Sequence, residues 1–161
     1  MAAVVVAAVA AAVVSMGDNM NDKPRDISAL LAMIEKRSTI PFAWRGGRDC
    51  VSFAARAVKA QTGIDPRGDL RWSSMKQADA AISQEGGIEA ALDARFDRIA
   101  PALARRGDIA GMVDDRFGVR LMVVEGAMLV GPSASGLDRL PRAFMTIAWN
   151  VDTLRQAVQD G

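Results

Sequence analysis

Ile27, Leu30, Leu31 and Ile34 fall at i, i+3, i+4 and i+7, one apolar stripe on one helical face, with Asp26 just before them as a competent N-cap. The spacing predicts a core-facing helix. Residues 38–47 break the pattern with Pro41 and Gly46-Gly47, so an irregular connection is expected, with Ile40, Phe42 and Trp44 available to anchor it. A second stripe, Cys50, Phe53, Ala54, Ala57 and Val58, starts after Asp49 as N-cap and ends before Gly63, where a left-handed cap belongs. Asp65-Pro66-Arg67-Gly68-Asp69 reads as a turn. A third helix is predicted from Ser74, which has capping-box spacing to Gln77, as far as Gly86-Gly87, and a short fourth over 88–94.

Beyond Pro101 the period changes. Residues 109–113, 119–124, 127–130 and 144–151 are short β-branched or aromatic runs divided by Gly, Asp and Pro, and they predict strands. Helices followed by strands imply an α+β fold, an N-terminal helical half packed on a small antiparallel sheet. No repeat or linker divides the chain, so one domain is expected over 24–152, with a tail over 153–161. One more helical turn is expected within 152–158.

Residues 2–14 are an unbroken run of seven Ala and six Val. Thirteen residues at 1.5 Å each reach about 20 Å, short of the roughly 30 Å hydrocarbon core, so no transmembrane span is expected. The length suits a signal sequence, but no Lys or Arg precedes Lys23. An over-extended start, with Met16 or Met20 as the true initiator, or a disordered tail is therefore the expectation for residues 1–20. That predicts a cytoplasmic or virion-associated protein, secreted or periplasmic only if residues 1–15 are a true signal.

Net charge is +1, which provides no field for nucleic acid, although most of the 20 basic residues are Arg. The 161 residues include no His and one Cys. Catalysis by Ser-His-Asp or Cys-His, a CxxC pair and thiolate zinc sites are thereby excluded, and neither a cofactor nor a metal is assigned. Asp108, Asp114 and Asp115 lack the loop pattern of a Ca²⁺ site, and a hairpin tip accounts for Asp114-Asp115.

Cys50 has two readings. In the first turn of a helix it meets unpaired backbone N–H groups, which favour thiolate; Arg45 and Arg48 add positive charge, and Gly46-Gly47 lets backbone approach a ligand. Trp44, Arg45, Gly46, Gly47, Arg48 and Asp49 are accordingly the candidate binding residues around a candidate nucleophile, Cys50. On residue type alone, a lone Cys on such a helix stripe is most often a small buried hydrophobe.

The residues Pro41-Phe42-x-Trp44-x-Gly46-Gly47-x-Asp49-Cys50-x-x-Phe53, with Arg106-Gly107-Asp108 about sixty residues later, resemble the NlpC-type papain-like peptidases over roughly 27–151. The resemblance implies a papain-like fold in which Cys50 would be the nucleophile, the Gly107-Asp108 pair would start the catalytic sheet, and peptidoglycan stem peptides would be the substrates. The ending Gly136-Leu137-Asp138-Arg139-Leu140-Pro141, with Ala148-Trp149, is most similar to an uncharacterised branch encoded by phages and prophages. By that resemblance the catalytic His would fall between Phe117 and Leu121, at Arg120, where the chain has none.

An arginine can hold a thiolate but cannot protonate a leaving amine, so Asp49, Asp108 or Glu125 would have to serve as acid. The expectation is a phage- or prophage-derived domain, non-hydrolytic, acting in tail or tail-tip assembly or binding a peptide or cell-wall fragment. Its partners would be phage tail proteins or a peptidoglycan peptide. The alternative is a Cys50-dependent peptidase, amidase or acyltransferase with a non-histidine acid. The two Arg-Gly-Asp tripeptides, 67–69 and 106–108, are read as turns.

Overall fold

The computed structural model describes residues 24–155; the expectations for residues 1–20, and the part of the tail after 155, lie outside them. Four helices precede most of the sheet: α1 (Ile27–Arg37), α2 (Cys50–Thr62), α3 (Met75–Gln84) and α4 (Ile88–Arg95). The strands are β1 (Asp97–Ile99), β2 (Ile109–Asp114), β3 (Gly118–Val124), β4 (Met128–Ser133), β5 (Gly136–Pro141) and β6 (Ile147–Asn150). They form one antiparallel sheet in the order β1-β6-β2-β3-β4-β5. The fold is α+β, and no helix among the described residues is long and apolar enough to cross a membrane.

The helix ends follow their capping residues. Asp26 accepts from the Ala29 N–H, Asp49 from Ser52 and Ser74 from Gln77, while Gly63 closes α2 at φ +83°. The reciprocal arm of the predicted capping box shifts by one residue, since Gln77 Oε1 accepts from the N–H and hydroxyl of Ser73.

Two edge strands escape the hydrophobic pattern. β1 and β5 carry charges (Asp97, Arg98; Asp138, Arg139), and β5 ends on Pro141, devices suited to a sheet edge and poor in strand signal. The run predicted over 144–151 is strand only at Ile147–Asn150; short 3₁₀ turns, Arg142–Phe144 and Val151–Thr153, flank it. The second of these is the part of the expected final turn that falls within the described residues.

Both sheet faces are buried. Ile109, Val119, Leu121, Val123, Val130 and Trp149 face the helices, against Leu30, Ile34, Phe53, Ala57 and Val58. Ala110, Met122, Val124, Leu129 and Ala148 form a separate core on the other face, closed by Ala104 and Met145. Ala110 lies opposite both Met122 and Ala148, so small residues make room for the methionine.

A buried ion pair ties the chain ends to the sheet. Arg25 Nη2 donates to Asp108 Oδ1 at 2.6 Å, with the two side chains 7% and 1% exposed, and Arg25 Nε donates to Asp152. Asp108 also accepts from the backbone N–H groups of Arg105 and Val151. Removing one member of such a pair strands the other charge. Asp108→Ala is therefore expected to lower the unfolding free energy by about 3 kcal/mol, read by urea denaturation.

Candidate functional site

The β3–β4 ladder is short, pairing only Val123 with Val130 and Val124 with Leu129. Continued by two residues, that register would set Pro132 opposite Leu121, and proline has no N–H to donate across. The strands part there. A groove of about 430 Å³ opens between them, lined by Phe42, Trp44, Cys50, Phe117, Arg120 and Ser133 among others.

Each wall has a local cause. The Phe42 N–H donates to the Ser133 carbonyl at 2.7 Å, fastening the loop after α1 to the end of β4. Phe42 and Trp44 meet edge to face at 5.1 Å, and Trp44 meets Phe117 at 5.5 Å, so three rings form one apolar wall. Arg120 Nη2 bridges the parted strands by donating to the Pro132 carbonyl at 2.9 Å, 3.6 Å from Asp138. Asp114 Oδ2 accepts from the N–H groups of Arg116 and Phe117, shaping the β2–β3 turn at the groove mouth.

Cys50 is the first residue of α2, half-buried and packed against the inner core. The surroundings work against the expected thiolate. Burial pushes its thiol up to about 11, and the Asp49 and Asp114 charges act in the same direction. A backbone hydrogen bond from Leu121 and the charge of Arg120 pull it down, but by less. Arg45 and Arg48 are not among the groups that set it; Arg48 acts instead on Arg37. The helix terminus cannot compensate, because Asp49 caps it with a negative charge of its own.

The three carboxylates considered as substitute acids are all engaged elsewhere. Asp49 is wholly buried and accepts from the Ser52 N–H (3.0 Å), the Ser52 hydroxyl (2.7 Å) and Trp72 Nε1 (3.0 Å). Asp108 holds Arg25, and Glu125 is bonded through both oxygens to Arg139. None of them lines the groove; the carboxylate that does is Asp114.

Of the predicted binding residues, Trp44 and Arg120 share the groove with Cys50. Asp49 is a buried helix cap, and Arg45 and Arg48 are exposed. Gly46 and Gly47 line a different pocket, on the Ser52–Arg56 side of α2. Asp114, Arg116, Phe117 and Ser133 were not singled out as site residues, and Pro132 was the missed signal: a proline late in a strand marks where pairing must end.

Residues 23–151 match the family model described as "Domain of unknown function (DUF6950)". The chain belongs to that family. No curated protein matches its sequence. In structure this DUF6950 domain is similar to the NlpC/p60 domain of the peptidoglycan hydrolase SagA, with a TM-score of 0.50 and 18% identity, covering 78% of this chain and 98% of that one. At that identity the likeness is one of fold, and it agrees with the NlpC-type architecture that the sequence resembles.

The rim charges act on the thiol with opposite signs. Alkylation of Cys50 by iodoacetamide, followed against pH, is expected to have its midpoint near 11. Arg120→Gln should move that midpoint up and Asp114→Asn should move it down. An unchanged midpoint in both variants would show that the rim does not reach the sulfur.

Proposed function

We propose that this DUF6950 domain binds a short peptide, of the kind found in cell-wall fragments, in the groove between β3 and β4 without hydrolysing it. The observation that carries this reading is the setting of Cys50: a half-buried thiol behind the capping Asp49 carboxylate, in a groove with no imidazole and with its one lining carboxylate, Asp114, accepting from the turn N–H groups. A nucleophile needs thiolate, and amide cleavage needs an acid for the leaving amine. The groove supplies neither. It does supply what a ligand site needs, an aromatic wall with charges of both signs at the rim, Asp114 against Arg116 and Arg120.

The likeness to a peptidoglycan hydrolase domain supports a cell-wall peptide as the ligand class. The sequence resemblance to phage- and prophage-encoded domains makes tail or tail-tip assembly the setting we propose for such binding. The alternative, a Cys50-dependent peptidase or acyltransferase, requires the thiol to ionise on ligand binding, and no lining group other than Arg120 favours that.

The test uses purified peptidoglycan and its stem peptides. The protein is expected to release no soluble fragments beyond those released by Cys50→Ala, while co-sedimenting with the wall. Phe117→Ala should weaken stem-peptide binding about tenfold, near 1.4 kcal/mol, through loss of the aromatic wall. Cys50-dependent release of fragments would establish the enzyme reading instead.

A further inference from the structure

The arginines of this chain are mostly paired: Arg25, Arg67, Arg95, Arg98 and Arg139 each hold a carboxylate within 3 Å. Arg37 is a buried exception. Arg37, the last residue of α1, is only 6% exposed, yet its Nε has no hydrogen-bond partner and no carboxylate bonds its guanidinium among the described residues. Its pKa is lowered by burial and then by the like charges of Arg56 and Arg48, with Asp49 opposing. Arg56 Nη2 makes one long bond, 3.3 Å, to the Gly46 carbonyl. Arg48 lies along the same turn, its Nε 3.6 Å from where a Cβ on Gly46 would stand.

Arg56 of this cluster also lines a pocket of about 270 Å³, together with Gly46, Gly47, Ser52, Arg67, Arg71 and Trp72. Arg67 and Arg71 share one carboxylate, Asp65, at 2.8 and 3.6 Å. Asp69, on the same turn, bonds none of them. The remaining acid nearby is Asp49, buried beneath Ser52 and Trp72. Three arginines (56, 67 and 71) line the pocket and two more (37 and 48) interact with Arg56 or its neighbours, against aspartates 49, 65 and 69, an excess of two positive charges. Arg48, Arg56 and Arg71 are exposed and screened by water, so it is the buried charge of Arg37 that an anion nearby would relieve most.

The backbone holds the Arg56 guanidinium at the pocket. Gly46 and Gly47 both have positive φ, +71° and +69°. A Cβ on Gly47 would stand 2.5 Å from Arg56 Nη2, so the turn is bare where the guanidinium crosses it.

We propose that this pocket binds a multiply charged oxyanion, a phosphate or a phosphate monoester, through Arg56 and Arg71, with the Arg37 and Arg48 charges in support. Planar guanidiniums suit phosphate oxygens, and a divalent anion answers the surplus charge. The site shares no lining residue with the Cys50 groove and does not depend on what that groove binds.

Thermal unfolding and calorimetric titration of the full chain with inorganic phosphate test it, at constant ionic strength maintained with chloride. Phosphate should raise the melting temperature saturably, as expected when only the folded state binds. Arg56→Gln should lower phosphate affinity about tenfold or more while raising the melting temperature without phosphate, because one of the repelling charges is gone. Its Cys50 alkylation profile should be unchanged, since Arg56 does not line that groove. Gly47→Ala, which displaces Arg56, should reproduce the loss of affinity.

Phenyl phosphate distinguishes the sources: tighter binding than inorganic phosphate assigns the site to an ester, and binding of inorganic phosphate alone assigns it to the free ion. No saturable shift, or the same shift in Arg56→Gln, would overturn the proposal.

Discussion

Everything around the site hangs on the buried carboxylate of Asp49. It is the N-cap of α2 and accepts three hydrogen bonds, two from Ser52 and one from Trp72 Nε1. Arg67 then donates to the Ser52 hydroxyl at 3.2 Å, so the turn after α2 is tied to the start of that helix. A fully buried charge is tolerated only when its lone pairs are satisfied, and here they are. The result is a helix whose first residue, Cys50, has one fixed position against β3. The same charge that places the thiol also discourages its ionisation.

The two concavities share no lining residue, and each takes one from the first turn of α2, Cys50 in the groove and Ser52 in the pocket. The parted ends of β3 and β4 make a groove with an aromatic wall, and the Gly46-Gly47 turn and the arginines make a cationic pocket. Their chemistry differs because their neighbours differ. The groove combines charges of both signs over apolar rings, whereas the pocket carries an excess of guanidinium over carboxylate. An NlpC/p60-like fold does not by itself fix the chemistry of its grooves, since fold and chemistry are separable.

Helical order was legible in the sequence because caps and stripes agreed: Asp26, Asp49, Ser74 and Gly63 act at the ends they were expected to mark. The inner strands were legible from β-branched runs. β1 and β5 were not, since charged edge strands lack an apolar signature. At the site, the sequence placed Cys50, Trp44 and Arg120 in one region, and the structure gives them a common groove. The ionisation of Cys50 was not legible, because the helix terminus and nearby arginines argue for thiolate while burial and Asp49 argue against it, and only the fold shows which is larger. Arg37 was equally hidden: a basic residue in a last helical turn reads as a solvated dipole partner, not as a buried charge.

The central claim is that Cys50 is held as a neutral thiol, so that the groove binds and does not cleave. The most direct measurement is the ultraviolet absorbance of the thiolate, titrated against pH in the folded protein with Cys50→Ala as the blank. The account predicts no thiolate signal at neutral pH and a rise centred near 11. A rise centred below the ordinary cysteine range of about 8.5 would contradict it and restore Cys50 as an activated nucleophile.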